Sequence, residues 1–295
     1  MEYTYYNELL QGDKGALKRA LYKAMGFTDE ALGKPLIAIV NTYTNATPGH
    51  FNLNEICAQV ERGIEAAGGT AMTFGSIAPC DGIAEGHEGM RYILPSRDLI
   101  TSSVECMVRA HRFDGIVLLG SCDKIVPGLL MAAARLDIPA VFCNSGPMMP
   151  ACYKGKHYDG NIVTEAVGWK QRGEITEEEF RQIENLAEPC AGSCAMLGTA
   201  NTMGCMAEAL GMSEPAGKRS DSRCLCKADA GGIRDRTGGD GTGGEAYHRK
   251  GYSYKRSRGK CHGGSDGDRR LYKRDYASAG NSQGGGLGKP SAGSL

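Results

Sequence analysis

The sequence predicts an α/β fold: a mostly parallel sheet flanked by helices, followed by a disordered Gly/Arg-rich tail. Three observations carry this expectation. Short apolar runs alternate with helical periodicities along the first part of the chain, the pattern of strands that return in parallel through covering helices. Polar loops follow the apolar runs, and in open α/β sheets such loops gather outside the carboxyl ends of the strands. Beyond residue 216 the aliphatic residues nearly vanish. The expected organisation is an incomplete α/β domain over residues 1–215 and a tail over 216–295.

In chain order, PLIAIVN (35–41) reads as the first strand. FNLNEICAQVERGIEAAGG (51–69) reads as a helix closed by glycines, and TAMTFGSIA (70–78) as the next strand. Residues 99–111 form a helix with Ile100, Val104, Met107 and Val108 recurring on one face. FDGIVLLG (113–120) is a third strand and PGLLMAAARLDI (127–138) a helix, its proline serving as a helix start. PAVFCNSG (139–146) is the fourth strand. Four loops follow these strands, NTYTNATPGH (41–50), APCDG (78–82), GSCDK (120–124) and NSGPM (144–148), so they converge on one rim.

The 295 residues are 41% apolar, enough for a substantial core, but that average conceals the break at Gly217. Residues 217–295 hold 19 glycines, and their only large aliphatic residues are Leu225, Ile233, Leu271, Leu287 and Leu295. Such a segment has almost nothing to bury. It carries 17 Lys+Arg against 8 Asp+Glu, whereas residues 1–216 carry 17 against 26, so the net charge of zero sums a basic tail and an acidic body. No apolar run reaches the roughly 20 residues needed to span a bilayer. The N-terminus also lacks the basic-then-apolar pattern of a secretory leader, and a cytoplasmic protein without membrane partners is expected. Nine of the twelve cysteines lie in the body, where a core makes staples unnecessary; buried thiols and metal or cluster ligands are the readings that remain.

The stretch LLGSCDKIVPG (118–128) sets Cys122, Asp123 and Lys124 side by side where a strand ends. Cys122 is either a buried thiol or a soft donor for zinc or iron-sulfur iron, and Asp123 is a hard donor suited to Mg²⁺. Soft and hard metals side by side make sense if a substrate bridges them. Lys124 is an ion-pair partner or a phosphate binder, since a free amine is a poor metal ligand. Asp81 ends another strand-loop unit, with Cys80 before it; it is a second carboxylate for that site or a turn aspartate bonding its own backbone. His87 and Glu88 do not form HExxH, and neither GxGxxG nor GxxxxGK[ST] follows a strand, which removes support for dinucleotide and P-loop sites. Cys190, Cys194 and Cys205 sit among small residues, without the paired spacing of a zinc finger. Separated single cysteines better suit a cluster assembled from distant loops, with one iron open to substrate.

GKPLIAIVNTYTNATPGH (33–50), DGIAEGHEGMRYILPSRDLI (81–100), SCDKIVPGLLMAAARLDIPAVF (121–142) and GSCAMLGTANTMGCMAEALGMS (192–213) together resemble the dihydroxy-acid and sugar-acid dehydratase family, from about residue 10 to 213. The resemblance implies a hydro-lyase that removes water from a small 2,3-dihydroxy carboxylic acid to give a 2-keto acid. The expected role is in branched-chain amino-acid synthesis, with a gluconate- or arabinonate-type sugar acid as the alternative substrate. It implies Cys122 and Cys194 as iron-sulfur ligands, Asp81 and Asp123 as Mg²⁺ ligands, and Lys124 as a lysine carbamylated into a carboxylate-like metal ligand. A homodimer is implied for the full-length protein. One position departs from the family's [2Fe-2S] members, which carry Cys where this chain has Gly49. Either Cys80 or a different cluster arrangement then takes over the third ligand, and [4Fe-4S] is favoured over [2Fe-2S].

The resemblance stops after ALGMSEP (209–215). Residues 248–287, back-translated with free synonymous codons and read one nucleotide later, can give a family-like helix followed by GGSTN, and residues 217–227 behave likewise. A shifted reading frame is therefore expected. It would remove the later half, to which the family assigns another metal-ligating glutamate and the serine that takes the C2 proton, and leave the chain inactive. The competing reading, an RNA-binding arm, has charge in its favour. Its aromatic residues are tyrosines alone and no RGG repeat is present, so no specific nucleic-acid partner is expected.

Overall fold

The computed structural model describes residues 10–213. Within them the apolar runs form a four-stranded parallel sheet of β1 (Leu36–Asn41), β2 (Thr70–Gly75), β3 (Gly115–Gly120) and β4 (Ala140–Asn144), in spatial order β2-β1-β3-β4. The fold class is the one read from the sequence. The expectations placed on residues 216–295, a disordered tail, a shifted frame and RNA binding, lie outside the described residues.

Helices α1 (Ala16–Ala24) and α2 (Asp29–Leu32) precede β1, and α3 (Leu53–Ala66) joins β1 to β2. Helices α4 (Asp81–Ala84) and α5 (Met90–His111) join β2 to β3, and α6 (Ile125–Leu136) joins β3 to β4. Two starts differ from the periodicity. Helix α5 begins at Met90 and runs through Pro95, which removes one intrahelical bond. It continues because Ile93, Ile100, Val104 and Val108 stay buried on one face. Helix α6 begins at Ile125, so Pro127 falls in the first turn, where N–H groups have no intrahelical acceptor.

Strand β1 is buried on both faces, and its alternation sorts the two layers of the core. Leu36, Ala38 and Val40 join the cluster of Ile100, Val104 and Leu129 from α5 and α6, together with Ile116 and Leu118 of β3. Ile37 and Ile39 turn the other way, onto Leu53, Ile56, Cys57 and Ile64 of α3. Full burial of a Leu, Ile or Val side chain contributes about 1.5–3 kcal/mol, so the central strand anchors both layers. Gly128 lets α6 approach α5: a Cβ there would stand 2.9 Å from the Arg97 carbonyl oxygen. The Thr101 hydroxyl donates to the Gly128 carbonyl at 3.0 Å across the same contact.

An appendage follows β4. An antiparallel hairpin of β5 (Ala151–Tyr153) and β6 (Lys156–Tyr158) leads into α7 (Ile162–Gln171) and α8 (Glu177–Leu186). These helices bury Ile162, Ala166, Ile183 and Ala187 in a cluster of their own. Thr176 and Glu179 cap α8 reciprocally, each accepting from the other's backbone N–H. Helix α9 (Thr199–Ala209) returns to the sheet, and Met212 beyond it accepts from the Phe142 N–H at 2.7 Å on the outer edge of β4. No helix among the described residues is long and apolar enough to cross a membrane.

The strand order fixes where a site can lie. From β1 the chain moves to β2 on one side, and from β2 it crosses to β3 on the other. The carboxyl ends of β1 and β3 therefore flank a topological switch point, where the covering connections part and leave a crevice.

Candidate functional site

At that crevice the start of α4, just after the loop that follows β2, brings Asp81 against Asp123 and Lys124 from the loop after β3. Lys124 Nζ donates to Asp81 Oδ2 at 2.9 Å and makes a second, shorter ion pair with Asp123. The Oδ1 atoms of both aspartates are buried with no hydrogen-bond partner among the described residues. An unpartnered buried carboxylate oxygen is unfavourable unless a proton or a cation reaches it. Burial, followed by the neighbouring Asp123, pushes Asp81 up to about 6. Burial also works to raise Asp123, but hydrogen bonds from Asp81, Lys124 and Thr199 outweigh it and hold that carboxyl below its ordinary value. Burial opposes the charge on Lys124, and its two carboxylate partners overcome this and raise its pKa. The trio is thus an ammonium clasped by two carboxyls, one of which takes up a proton readily.

The thiols lie beside it. Cys122 is 8% exposed and has a left-handed backbone, with φ of 64°. That conformation costs a non-glycine residue on the order of 1–3 kcal/mol and marks a site held by its surroundings. Burial raises the Cys122 thiol strongly, and Cys80, Cys194, Asp81 and Asp123 all lie close enough to raise it further by charge repulsion. Cys194 sits at the exposed mouth of the site, where partial burial and then the Glu188 carboxylate and Cys80 raise its thiol. Without a cation these thiols stay protonated and inert; an electrophilic metal is what would draw them into the thiolate form.

Gly49 explains how the loop after β1 fits among them. A Cβ built at Gly49 would lie 2.5 Å from Cys122 Sγ, so a side chain there would have to displace the sulfur. That loop also bonds to every neighbour. The Thr47 hydroxyl donates to the Ala78 carbonyl at 2.9 Å, next to Cys80. The Pro48 carbonyl accepts from Gly192 N at 3.0 Å, next to Cys194. His50, with no exposed surface, sets Nε2 3.0 Å from the Ser121 carbonyl oxygen and Nδ1 2.8 Å from the Thr42 carbonyl. Burial pushes its pKa down to about 4 although both carbonyls pull the other way. The loop after β4 closes the ring: Ser145 Oγ donates to the Gly49 carbonyl at 2.6 Å, and Ser193 N donates to the Gly146 carbonyl at 3.0 Å.

Asp81, Asp123 and Lys124 are therefore in contact, Cys122 precedes them in the same loop, and Cys80 and Cys194 lie within electrostatic range of its thiol. Among the described residues no three His, Cys, Asp or Glu side chains close on one point as a ready-made ion site; the third member of the Asp81–Asp123 pair is the lysine. Cys190 instead accepts from Met149 N at 3.2 Å, Cys205 is exposed on α9, and His87 bonds back to the Ile83 carbonyl. The residue-by-residue reading passed over His50, Thr47 and Thr199. A histidine in a polar loop after a strand was visible in TPGH, but its role depends on a carbonyl 71 positions away, which local pattern does not carry. An open cleft of about 550 Å³ adjoins the loop, lined by Thr47, Pro48, Phe51, Ile83, Glu188 and Cys190.

Comparison with known proteins bears on the same residues. The family model described as dihydroxy-acid/6-phosphogluconate dehydratase N-terminal matches residues 34–223. A dihydroxy-acid dehydratase of Pyrococcus abyssi is 53% identical over 205 residues, which cover 70% of this chain and 37% of that protein. One of Methanococcus aeolicus is 52% identical over 209 residues, 71% of this chain and 38% of the relative. Dihydroxy-acid dehydratase 1 of Methanosarcina acetivorans is 51% identical over 205 residues, 70% and 37% of the two chains. The chain thus spans well under half the length of these relatives. With its parallel sheet and a match over the greater part of its length, it belongs to the dihydroxy-acid/6-phosphogluconate dehydratase family and corresponds to the N-terminal region of that family.

Proposed function

We propose that the chain is the cluster- and metal-bearing part of a dihydroxy-acid dehydratase, a hydro-lyase for small 2,3-dihydroxy acids, in the branched-chain amino-acid pathway. The observation that carries this reading is the meeting of two chemically different donor sets at one crevice. Cys80, Cys122 and Cys194 offer soft sulfur, while Asp81 and Asp123 each offer a buried oxygen without a partner. The donors fit the two groups that the resemblance implies. Cys122 and Cys194 with Cys80 would hold an iron-sulfur cluster, and [4Fe-4S] is favoured because Gly49 supplies no ligand beside Cys122. Asp81 and Asp123 would hold Mg²⁺. Lys124 would join them as a carbamate, which replaces an ammonium by an anion at the same place.

When bound, the two metal groups supply Lewis acidity toward a substrate carboxylate and hydroxyls. The chain's own residues do the rest. Asp81 and Asp123 fix the hard-donor side of the crevice, and Asp81, Lys124 and Thr199 together hold the Asp123 carboxyl below its ordinary value. The low exposure of Cys122 keeps water from the inner side of the thiol group. The base that removes the C2 proton is not among the residues assigned here, so turnover by this chain alone is not expected. A cytoplasmic setting is supported by cysteines scattered through a body whose apolar core needs no staples, and a homodimer of the full-length protein by the resemblance. The 51–53% identity to proteins named dihydroxy-acid dehydratase favours that substrate class over sugar acids.

Anaerobic reconstitution of the purified chain with iron and sulfide tests the ligand set. The expected result is a visible cluster absorption with bound iron, lost in Cys122→Ser and Cys194→Ser and weakened in Cys80→Ser. A full cluster in all three variants would remove the assignment. The 2,3-dihydroxy acid and the sugar acid are separated by comparing turnover of 2,3-dihydroxy-isovalerate and gluconate in the full-length protein.

A further inference from the structure

The loop that touches every cysteine-bearing loop carries no cysteine itself. Its tie to Cys122 runs through one buried side chain. His50 lies between the loops after β1 and β3, with Nδ1 against the Thr42 carbonyl and hydroxyl, both at 2.8 Å, and Nε2 against the Ser121 carbonyl at 3.0 Å. The Ser121 carbonyl belongs to the planar peptide whose other end is the Cys122 nitrogen. Holding that oxygen fixes the plane from which φ of Cys122 is measured, and this φ is the left-handed 64°. We propose that His50 is a positioning residue: its bond to the Ser121 carbonyl holds Cys122 in the strained turn that sets its sulfur against the bare backbone of Gly49.

The surroundings support a specific bond over mere packing. Thr42 N and Thr42 Oγ1 both donate to the Leu119 carbonyl, at 3.4 and 2.7 Å, so the residue that lies against the Nδ1 side of the imidazole is itself fastened to β3. Gly49, next to His50, has no side chain, and the sulfur occupies the space beside it. A strained residue keeps its conformation only where neighbours over-determine it, and here the neighbours are the imidazole and the bare Gly49 backbone. The inference deepens the cluster reading, since it matters to function only if Cys122 is a ligand.

The test uses metal-free full chain, so it fails separately from the cluster assignment. Iodoacetamide labelling, followed peptide by peptide in the mass spectrometer, compares Cys122 with Cys57. Cys57 is 4% exposed on the α3 side of the sheet and reports general opening of the fold. In His50→Leu, which keeps the volume and removes the Nε2–H bond to the Ser121 carbonyl, labelling of Cys122 relative to Cys57 should rise about ten-fold, the change expected for one lost buried hydrogen bond. In His50→Gln, whose amide can donate to the Ser121 carbonyl, the ratio should return to within about three-fold of the wild type. An unchanged ratio in His50→Leu overturns the proposal, as does a parallel rise of both thiols in the two variants, which would make His50 a packing residue only. After reconstitution, the electron paramagnetic signal of the reduced cluster should shift in His50→Leu and be restored in His50→Gln.

Discussion

A buried imidazole with two carbonyls for neighbours has a consequence for acid stability. His50 sits near pKa 4 in the folded chain against 6.5 as its ordinary value, so the unfolded state binds the extra proton first. Its contribution is fully present above pH 6.5 and is lost as the pH falls toward 4. The gap corresponds to roughly 3 kcal/mol. Urea midpoints measured from pH 7.5 to 4.5 should therefore fall less steeply in His50→Leu than in the wild type; identical slopes would place the acid sensitivity elsewhere. At this scale the sequence was unevenly legible. Cys122, Asp123 and Lys124 announce themselves by adjacency, and Gly49 by a missing cysteine in a family pattern. His50 and Thr199 do not, because a hydrogen bond to a distant backbone or carboxyl leaves no local trace.

Secondary elements were legible where burial enforces a period. Strand β1, covered on both faces, is an unbroken apolar run, and β3 is nearly so, hence their agreement with the sequence. The start of α5 was hidden by Pro95, since a proline argues for a boundary that packing against α6 overrides. The hairpin and the two helices after β4 were not assigned from sequence; their small cluster gives short apolar patterns that resemble loop. Between α5 and α6 the decisive position is Gly128. Replacing it by alanine gains about 1 kcal/mol of helix propensity. The new Cβ meets backbone at 2.9 Å, and overpacking of that kind costs about 1–3 kcal/mol. Because a carbonyl cannot swing aside as a side chain can, Gly128→Ala should be net destabilised, with a lower urea midpoint and an unchanged slope. A raised midpoint would mean that the two helices separate at little expense.

Across the whole molecule the described residues fall into a sheet core and the α7–α8 appendage, each with its own apolar cluster. Hydrogen exchange should reflect this, with the amides of β1 and β3 exchanging at least about ten-fold more slowly than those of α7 and α8, which can open without uncovering the sheet. Equal protection in both would mean that they unfold as one unit. The loop following β1 joins these scales, for its bonds reach the loops after β2, β3 and β4 and the segment before α9. Connections at the rim of an α/β sheet ordinarily accept added or deleted residues more readily than the strands they join. Here the reverse holds: shifting residues 47–50 by a single position would pull four anchor points out of register at once. Variation in length among related chains should thus concentrate in the appendage and avoid this loop, although the loop itself supplies no sulfur and no carboxylate.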